Sequence, residues 1–319
     1  MNRRHFLGAG VAGLSTLLLS PGSVFAQSDL GAPALPSPGF RKATVGKLEI
    51  FALNDGIGRR PLVDGFVRNA SLDDVKALLG SQNLPTNYID IPFTPFVVAD
   101  GDTHYLIDTG FADNGPPSAG KLHANMAAAG LKPEDIDHVI ISHFHGDHIN
   151  GLRYKNGDLV YPKAKVHVCA PEYAFWTDAE RRAKAPEGMK GAFAAVERAL
   201  GNLPADQLVK FEPDAQVAPG IRSLAAFGHT PGHTAFMVES DGQKFVYAAD
   251  TTNMPALFVR RPDWAVMFDM DPDMARETRK KVLEMVAAED ILTGGFHFPF
   301  PAMGKITREG DGYLFTPMA

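Results

Sequence analysis

The sequence predicts an α/β protein with mixed sheets. Short apolar segments of strand character alternate with helical segments along the 319 residues. Two pairs of strands, within FTPFVVADGDTHYLIDTG and AFMVESDGQKFVYAAD, each meet at an Asp-Gly turn and form hairpins. Because hairpins are antiparallel and strand–helix–strand units are parallel, the pattern disfavours a simple doubly wound parallel sheet. In both hairpins the second apolar strand is followed by an Asp-Thr pair, which is a weak indication that the chain consists of two similar halves.

The first half of the chain contains a strand, a short helix, a hairpin and a second helix, in that order. KLEIFALND alternates as a strand does and stops at Asp-Gly. Ser71 and Asp74 form a capping-box-like start for a helix through Leu79. The first hairpin follows, and a helix over residues 121–129 ends at Gly130.

The second half continues the alternation. AKVHVCA is typical of a strand, and a helix over residues 190–200 ends at Gly201. After the second hairpin, Asp271 and Pro272 open the longest helix, which extends to about residue 288. DILTGGFHF is expected to be the last strand. Residues 204–221 carry no pattern that indicates a function.

The first 26 residues have the pattern of an export signal. RRHFL at residues 3–7 resembles the twin-arginine motif, and VFA at residues 24–26 is a small-residue cleavage site. The apolar stretch between them is too short for a stable membrane anchor, so cleavage after Ala26 and a periplasmic or secreted protein are expected. Residues 27–43, rich in Pro and Gly, are expected to form an extended arm, and residues 44–319 the folded domain.

The composition argues against a nucleic-acid-binding protein and against a disulfide-stabilised one. Removing Arg3 and Arg4 with the signal takes the formal net charge from −6 to −8, which disfavours nucleic acid as a partner. The lone Cys169 excludes an intrachain disulfide. Stability must therefore come from the core and from any bound metal.

Seven histidine and aspartate residues form a candidate binuclear metal site. Three imidazoles and a carboxylate lie within HFHGDH, directly after an apolar strand, and three more candidates follow other apolar segments. Imidazole suits zinc, and carboxylate suits harder ions, so the mixture can hold two cations. Scattered loop histidines are the alternative, which fits this spacing poorly. The candidates are His143, His145, Asp147, His148, His229, Asp250 and His297.

At these residues the chain resembles the metallo-β-lactamase superfamily of hydrolases. SHFHGDHINGL, GHTPGHT and HFPFPAMG are most similar to its exported methyl parathion hydrolase and lactonase branch. The resemblance implies a four-layer αββα sandwich, with the metals at one edge between two halves. It also implies two divalent metal ions, most simply zinc.

The resemblance implies a role for each candidate residue. His143, His145 and His229 match the ligands of one metal, Asp147, His148 and His297 those of the other, and Asp250 the bridge. Asp147 and Asp250 are the catalytic candidates, acting with a metal-bridging hydroxide that makes a serine or cysteine nucleophile unnecessary. Asp108 and His233 match positions that orient ligands, although each could equally be a buried residue that serves packing.

Sister functions of the superfamily fit less well. True β-lactamases lack a bridging aspartate where Asp250 stands, and only residues 298–319 follow His297, too few for the helical domain of glyoxalase II-like enzymes. Flavodiiron proteins need a flavin domain, and the superfamily nucleases carry basic surfaces. Neither feature is present in this acidic sequence.

The predicted function is hydrolysis of small neutral lactones or aryl esters, with phosphotriesters as further substrates. Trp176, Phe193 and Phe268 are candidates for an apolar, uncharged pocket, against the alternative that they are core aromatics. A dedicated organophosphate hydrolase and a non-catalytic metal-binding protein are the other hypotheses. The natural substrate, the metal and the oligomeric state, including a homodimer, are left open.

Overall fold

The computed structural model describes residues 30–319, and two seven-stranded sheets form its centre. The export signal predicted for residues 1–26 lies outside the described residues. The strands are, in chain order, β1 (Phe40–Val45), β2 (Leu48–Leu53), β3 (Gly56–Pro61), β4 (Tyr88–Phe93), β5 (Phe96–Asp100), β6 (Thr103–Ile107), β7 (His138–Ile140), β8 (Lys165–Cys169), β9 (Leu208–Phe211), β10 (Gln216–Ala218), β11 (Ile221–Ala225), β12 (Thr234–Ser240), β13 (Gln243–Tyr247), β14 (Leu292–Gly294), β15 (Met303–Glu309) and β16 (Gly312–Pro317).

Both sheets are mixed, as the hairpins predicted. The first has the order β1-β2-β5-β6-β7-β8-β9 and the second β10-β11-β12-β13-β14-β15-β16, while β3 and β4 form a separate hairpin. In the first sheet the pairs from β6 to β9 are parallel. In the second, β13 and β14 are parallel. All other neighbouring strands are antiparallel.

Helices lie outside the two sheets. They are α1 (Leu72–Ser81), α2 (Leu122–Ala128), α3 (Gly146–Ile149), α4 (Ala170–Trp176), α5 (Ala179–Lys184), α6 (Glu187–Leu200) and α7 (Pro272–Ala288), with a π-helical turn over Pro255–Val259. Helix α1 begins as predicted, since the Ser71 side chain accepts a hydrogen bond from the backbone N–H of Asp74. Among residues 30–319, no helix is both long and apolar enough to cross a membrane.

Two apolar clusters create the layers. One joins the facing sides of the sheets, for example Ile50 and Val98 with Val238 and Phe245, and extends to α7. The other packs α2 and α6 on the outer side of the first sheet. Since each sheet is buried on both faces, its strands are apolar runs rather than strictly alternating ones. The result is the four-layer αββα sandwich that the resemblance implied.

The two sheets repeat one arrangement, which agrees with the two similar halves that the sequence indicated. β6 and β13 are each the fourth of seven strands, preceded by a hairpin partner and followed by a parallel neighbour. The N–H of Asp108 donates to Ile140 O over 2.9 Å, and that of Ala248 to Gly294 O over 2.8 Å. Asp108 therefore corresponds to Ala248 in space, and the repeated Asp-Thr pairs are offset by two residues.

Three segments contain strands that were not predicted from the sequence. β1 begins at Phe40, inside the segment 27–43 that was expected to be an arm, because its residues pair with β2. β14 is not the last strand, since β15 and β16 follow and complete the second sheet. Residues 204–221 contain β9 and β10, the edge strands of different sheets, so this segment is the crossover between the two halves.

Candidate metal centre

The predicted ligands converge because their loops leave the sheets at one edge. The loop with His143 and His148 follows the carboxyl end of β7. Asp250 follows β13, and His297 follows β14. His229 precedes β12, which is antiparallel to β13, so it reaches the same edge from the opposite chain direction.

A first group consists of three imidazoles with Asp250 beside them. Nε2 of His143 lies 3.0 Å from Nδ1 of His145, which lies 2.9 Å from Nε2 of His229. Oδ2 of Asp250 lies 3.3 Å from Nε2 of His229. The ligand atoms of the three imidazoles all lie within 4.8 Å of one another.

A second group shares Asp250 with the first. Oδ2 of Asp147 lies 3.6 Å from Nε2 of His148 and 3.5 Å from Nε2 of His297. Asp250 places Oδ1 3.3 Å from His148 Nε2, and Oδ2 3.0 Å from His297 Nε2. The carboxylate of Asp250 therefore borders both groups.

These spacings fit two metal ions. Ligand atoms bound tetrahedrally at zinc distances lie roughly 3.3–3.4 Å apart. The spacings in this cluster, from 2.9 to 3.6 Å, lie on either side of that value. Nε2 of His148 and Oδ1 of Asp250 are buried and lack a hydrogen-bond partner within the described part of the chain. Such groups are costly unless something else binds them, and a cation would. The donor set thus fits two divalent ions, and its imidazoles favour zinc.

The protonation of the imidazoles also fits cation binding. Burial, followed by the neighbouring histidines, lowers the pKa of His143 and His145 well below the usual value, so their ring nitrogens are free to bind a metal. Burial by itself would lower the pKa of His229, but the carboxylates of Asp250 and Asp269 have the larger effect and raise this pKa to about 9. A cation in the first group would replace that proton.

Asp108 and His233, both predicted to orient ligands, are buried beside the cluster. Oδ2 of Asp108 lies 2.8 Å from Nδ1 of His148, and it also accepts hydrogen bonds from the hydroxyls of Ser142 and Tyr247. Nδ1 of His233 is 2.9 Å from Ala226 O, and its Nε2 accepts from the Asp250 N–H. His233 is therefore the neutral tautomer with hydrogen on Nδ1, and burial lowers its pKa to about 3.

Two supporting residues were missed from the sequence. Oδ1 of Asp269 lies 2.9 Å from Nδ1 of His229, and Glu172 accepts hydrogen bonds from the loops that carry His143 and His229. Both carboxylates are fully buried. Neither belongs to a local motif, so only their places in the fold reveal them.

A cavity of about 510 Å³ opens onto the metal ligands. Trp176 and Phe268, both predicted for the pocket, line it. Phe193 does not: it packs behind Trp176 at a ring distance of 4.9 Å, since its helix turns this face to the core. The pocket is also not uncharged, because Arg60 lines it with its guanidinium 5.5 Å from the Phe268 ring centre. The remaining lining residues are mainly apolar, among them Ile91, Phe93, Phe111, Met189, Ala192, Met267 and Met270.

Comparison with known proteins decides the family. The model of the metallo-beta-lactamase superfamily matches residues 94–292, which include all the predicted ligands except His297. The chain belongs to this superfamily. Its αββα sandwich and its HFHGDH loop are thus features of a metallo-β-lactamase fold.

Individual relatives include several lactonases. AidC, described as a dizinc quorum-quenching lactonase, superposes with a TM-score of 0.82 at 27% identity, covering 88% of this chain and 98% of AidC. The hydrolase AbOPH gives 0.81 at 26% identity over the same shares of the two chains. An N-acyl homoserine lactonase of Bacillus sp is 23% identical over 225 residues, which are 64% of this chain and 80% of that protein.

Family and relatives together identify the chain as a metal-dependent hydrolase with two zinc ions. The lactonase part of the expected branch is confirmed by these relatives. The methyl parathion hydrolase part stays a prediction, as does activity on phosphotriesters.

Proposed function

We propose that the protein hydrolyses neutral lactones, with N-acyl homoserine lactones as the first candidates and aryl esters as further substrates. One observation carries the proposal: the ligand cluster lies in the wall of an open, mainly apolar cavity rather than in the closed interior. A structural zinc site is closed, whereas a catalytic site keeps an open position. This disfavours the hypothesis of a non-catalytic metal-binding protein.

The shape and polarity of the cavity support this substrate class. Phe93, Trp176 and Phe268 offer apolar surface beside the metal ligands, which suits an acyl chain or an aryl group. Its volume, about 510 Å³, is that of an ordinary small-molecule site. The similarity to N-acyl homoserine lactonases and to AidC supports a lactone as the reacting group.

The chain's own residues prepare the reaction. Two bound zinc ions would supply an activated water and stabilise the negative charge that develops on the substrate oxygen. Asp108 and Asp269 fix the ring orientation of His148 and His229, respectively. Asp147, which belongs to both the ligand cluster and the cavity wall, would orient the attacking water and accept its proton at Oδ1, since Oδ2 is the oxygen that faces His148 and His297.

The proposal is tested with zinc-loaded protein on a panel of neutral substrates. The panel contains an N-acyl homoserine lactone, an aryl ester and a phosphotriester, with an anionic phosphomonoester as the negative member. We expect the highest kcat/KM on the lactone, no turnover of the monoester, and loss of activity after zinc removal, with recovery when zinc returns.

Two results would decide against it. A protein that binds two zinc ions and hydrolyses neither lactone nor aryl ester would remove the proposal. A phosphotriester rate at least tenfold above the lactone rate would instead support a dedicated organophosphate hydrolase. Hydrolysis in oxygen-18 water adds a check on chemistry, since attack by water labels the product in the first turnover, without an acyl-enzyme.

A further inference from the structure

We propose that Glu172 is a positioning residue of the metal centre, which holds the two loops of the first ligand group at the spacing that a zinc ion requires. Glu172 lies on α4, outside the ligand motifs, and its side chain is fully buried. The inference concerns the metal centre on which the proposed function rests, but it does not depend on the substrate.

The carboxylate of Glu172 accepts four hydrogen bonds, three of which come from the two loops. Oε1 accepts from the N–H of Phe144 over 2.9 Å and from Nε1 of Trp176 over 2.8 Å. Oε2 accepts from the hydroxyl of Thr230 over 2.9 Å and from the N–H of Gly232 over 2.7 Å. Phe144 lies between His143 and His145, and Thr230 directly follows His229, so one side chain links the backbones of all three ligands.

Only an acceptor fits at this position. The N–H groups of Phe144 and Gly232 and the indole of Trp176 can donate but not accept. They approach both oxygens of Glu172, so a side-chain amide would direct its own N–H groups at one of these donors. A buried donor without a partner is costly, and the loop that carries it would move away.

The approach of the His229 loop to α4 is close enough to need a glycine. A Cβ at residue 232 would lie 2.7 Å from both Cα and Cβ of Glu172. The N–H of Gly232 can therefore reach Oε2 only because the residue has no side chain. The loop that carries His229 is therefore packed directly against the backbone of α4 at Glu172.

The second ligand group has other supports. His148 is held by Asp108, and Nδ1 of His297 lies 2.7 Å from Pro92 O. Neither contact involves Glu172. Phe144 shares its loop with Asp147 and His148, but Asp108 fixes the His148 ring directly. The loss of Glu172 should thus weaken the zinc site of His143, His145 and His229 more than the site of Asp147, His148 and His297. If Glu172 only stabilised the fold, its loss would weaken the two zinc sites equally.

The experiment measures zinc affinity with one site disabled. His297→Ala isolates the first site and His145→Ala the second, and Glu172→Gln is added to each background. Chelator competition should show a tenfold or greater loss of affinity from Glu172→Gln in the His297→Ala protein, because loss of an outer partner costs roughly 10- to 100-fold. In the His145→Ala protein the change should stay below about twofold. Glu197→Gln, on the exposed side of α6, is the matched control.

Threonine 230 gives a milder second variant in case Glu172→Gln does not fold. Thr230→Val removes one of the four donors and should weaken the first site in the same direction but less, while Thr230→Ser keeps the hydroxyl and should restore it. Equal losses at both sites, or no loss at either, would overturn the inference. Selective weakening in a protein that hydrolyses no lactone would keep this inference and reject the proposed function.

Discussion

Asp269 holds the imidazole of His229 from the side that faces away from the ligand cluster. Its Oδ1 lies 2.9 Å from Nδ1 of His229, which leaves Nε2 of the ring directed at Asp250. Oδ2 of Asp269 accepts from the N–H of Val266 and lies 3.3 Å from the guanidinium of the buried Arg279. The carboxylate is thus fixed at both oxygens and determines which nitrogen of His229 is free for a metal.

Replacement of Asp269 should weaken zinc binding without removing a ligand. Asp269→Asn keeps the size of the side chain but loses the charge that favours the Nδ1–H tautomer of His229. We expect a loss of zinc affinity of about tenfold or more, measured by chelator competition. Asp273→Asn, at an exposed position of α7, is the control and should change nothing. Unchanged affinity in Asp269→Asn would show that His229 needs no orienting partner.

The number of bound metals should separate Asp250 from His297. Asp250 borders both ligand groups, whereas His297 lies in the second alone. Asp250→Ala should therefore reduce zinc at both sites, and His297→Ala should leave about one ion per chain, as read by elemental analysis. Activity should fall by orders of magnitude in Asp250→Ala. One tightly held zinc in fully active wild-type protein would contradict a binuclear centre.

His167 should make the protein less stable in acid. Burial, followed by the neighbouring His138 and Lys165, lowers the pKa of His167 from 6.5 to about 4. Between these pH values the unfolded chain takes up a proton on this ring and the native protein does not, so the free energy of unfolding falls as the pH falls. The contribution approaches roughly 3 kcal/mol at pH 4, from about 1.4 kcal/mol per pKa unit.

Urea unfolding of wild type and His167→Leu at several pH values measures this contribution. The difference between the two proteins should be constant above pH 7 and should shift in favour of the variant as the pH falls from 6.5 to 4. The His167 ring lies 3.0 Å from His138, and the contact of His167 with the end of β7 is made by its backbone, which His167→Leu keeps. Metal release should therefore affect both proteins alike. A difference independent of pH would contradict the lowered pKa.

The metal ligands could be predicted from the sequence because their signal is local. HFHGDH places four candidates in six residues, and Asp250 and His297 directly follow recognisable strands. Glu172 and Asp269 have no such signal. Each is one acidic residue in a helix or loop, and it meets the loops of the metal ligands across 28 to 60 residues of chain. The supporting role of such a buried carboxylate can be recognised only when the fold shows which groups donate hydrogen bonds to it.

The strand pairing could be predicted where the turn has a clear sequence motif and the strands are long. The hairpins β5–β6 and β12–β13 have Asp-Gly turns between apolar strands, and both formed as expected. β9 and β10 are four and three residues long and partly exposed, too short for a periodic pattern, so the crossover was missed. Phe193 shows the same limit: its helix has a clear apolar face, but periodicity does not say which layer that face contacts.

Phe268 and Phe193 should respond differently to truncation. Phe268 lines the cavity, so Phe268→Ala should raise KM for the lactone and change the ratio of lactone to aryl ester turnover. Phe193 is buried behind Trp176, so Phe193→Ala should mainly lower stability, by about 3–5 kcal/mol. Steady-state kinetics beside urea unfolding separates the two effects. A substrate preference that shifts more in Phe193→Ala than in Phe268→Ala would contradict this division.

Export through the twin-arginine pathway should leave a mature protein that begins at Gln27. The described part of the arm, from Leu30, is held to the domain, since the Arg59 guanidinium donates to Leu30 O over 2.9 Å and pairs with Asp90. Removal of residues 1–26 would preserve these contacts. Fractionation with N-terminal mass spectrometry should find the shortened chain outside the cytoplasm, and Arg3→Lys combined with Arg4→Lys should retain the precursor inside. Arg59→Lys is the control and should leave export unaffected, because the export machinery recognises the signal at residues 3–7 and not the contact between the arm and the domain. Active enzyme that keeps Met1 in the cytoplasm of wild-type cells would refute the predicted signal.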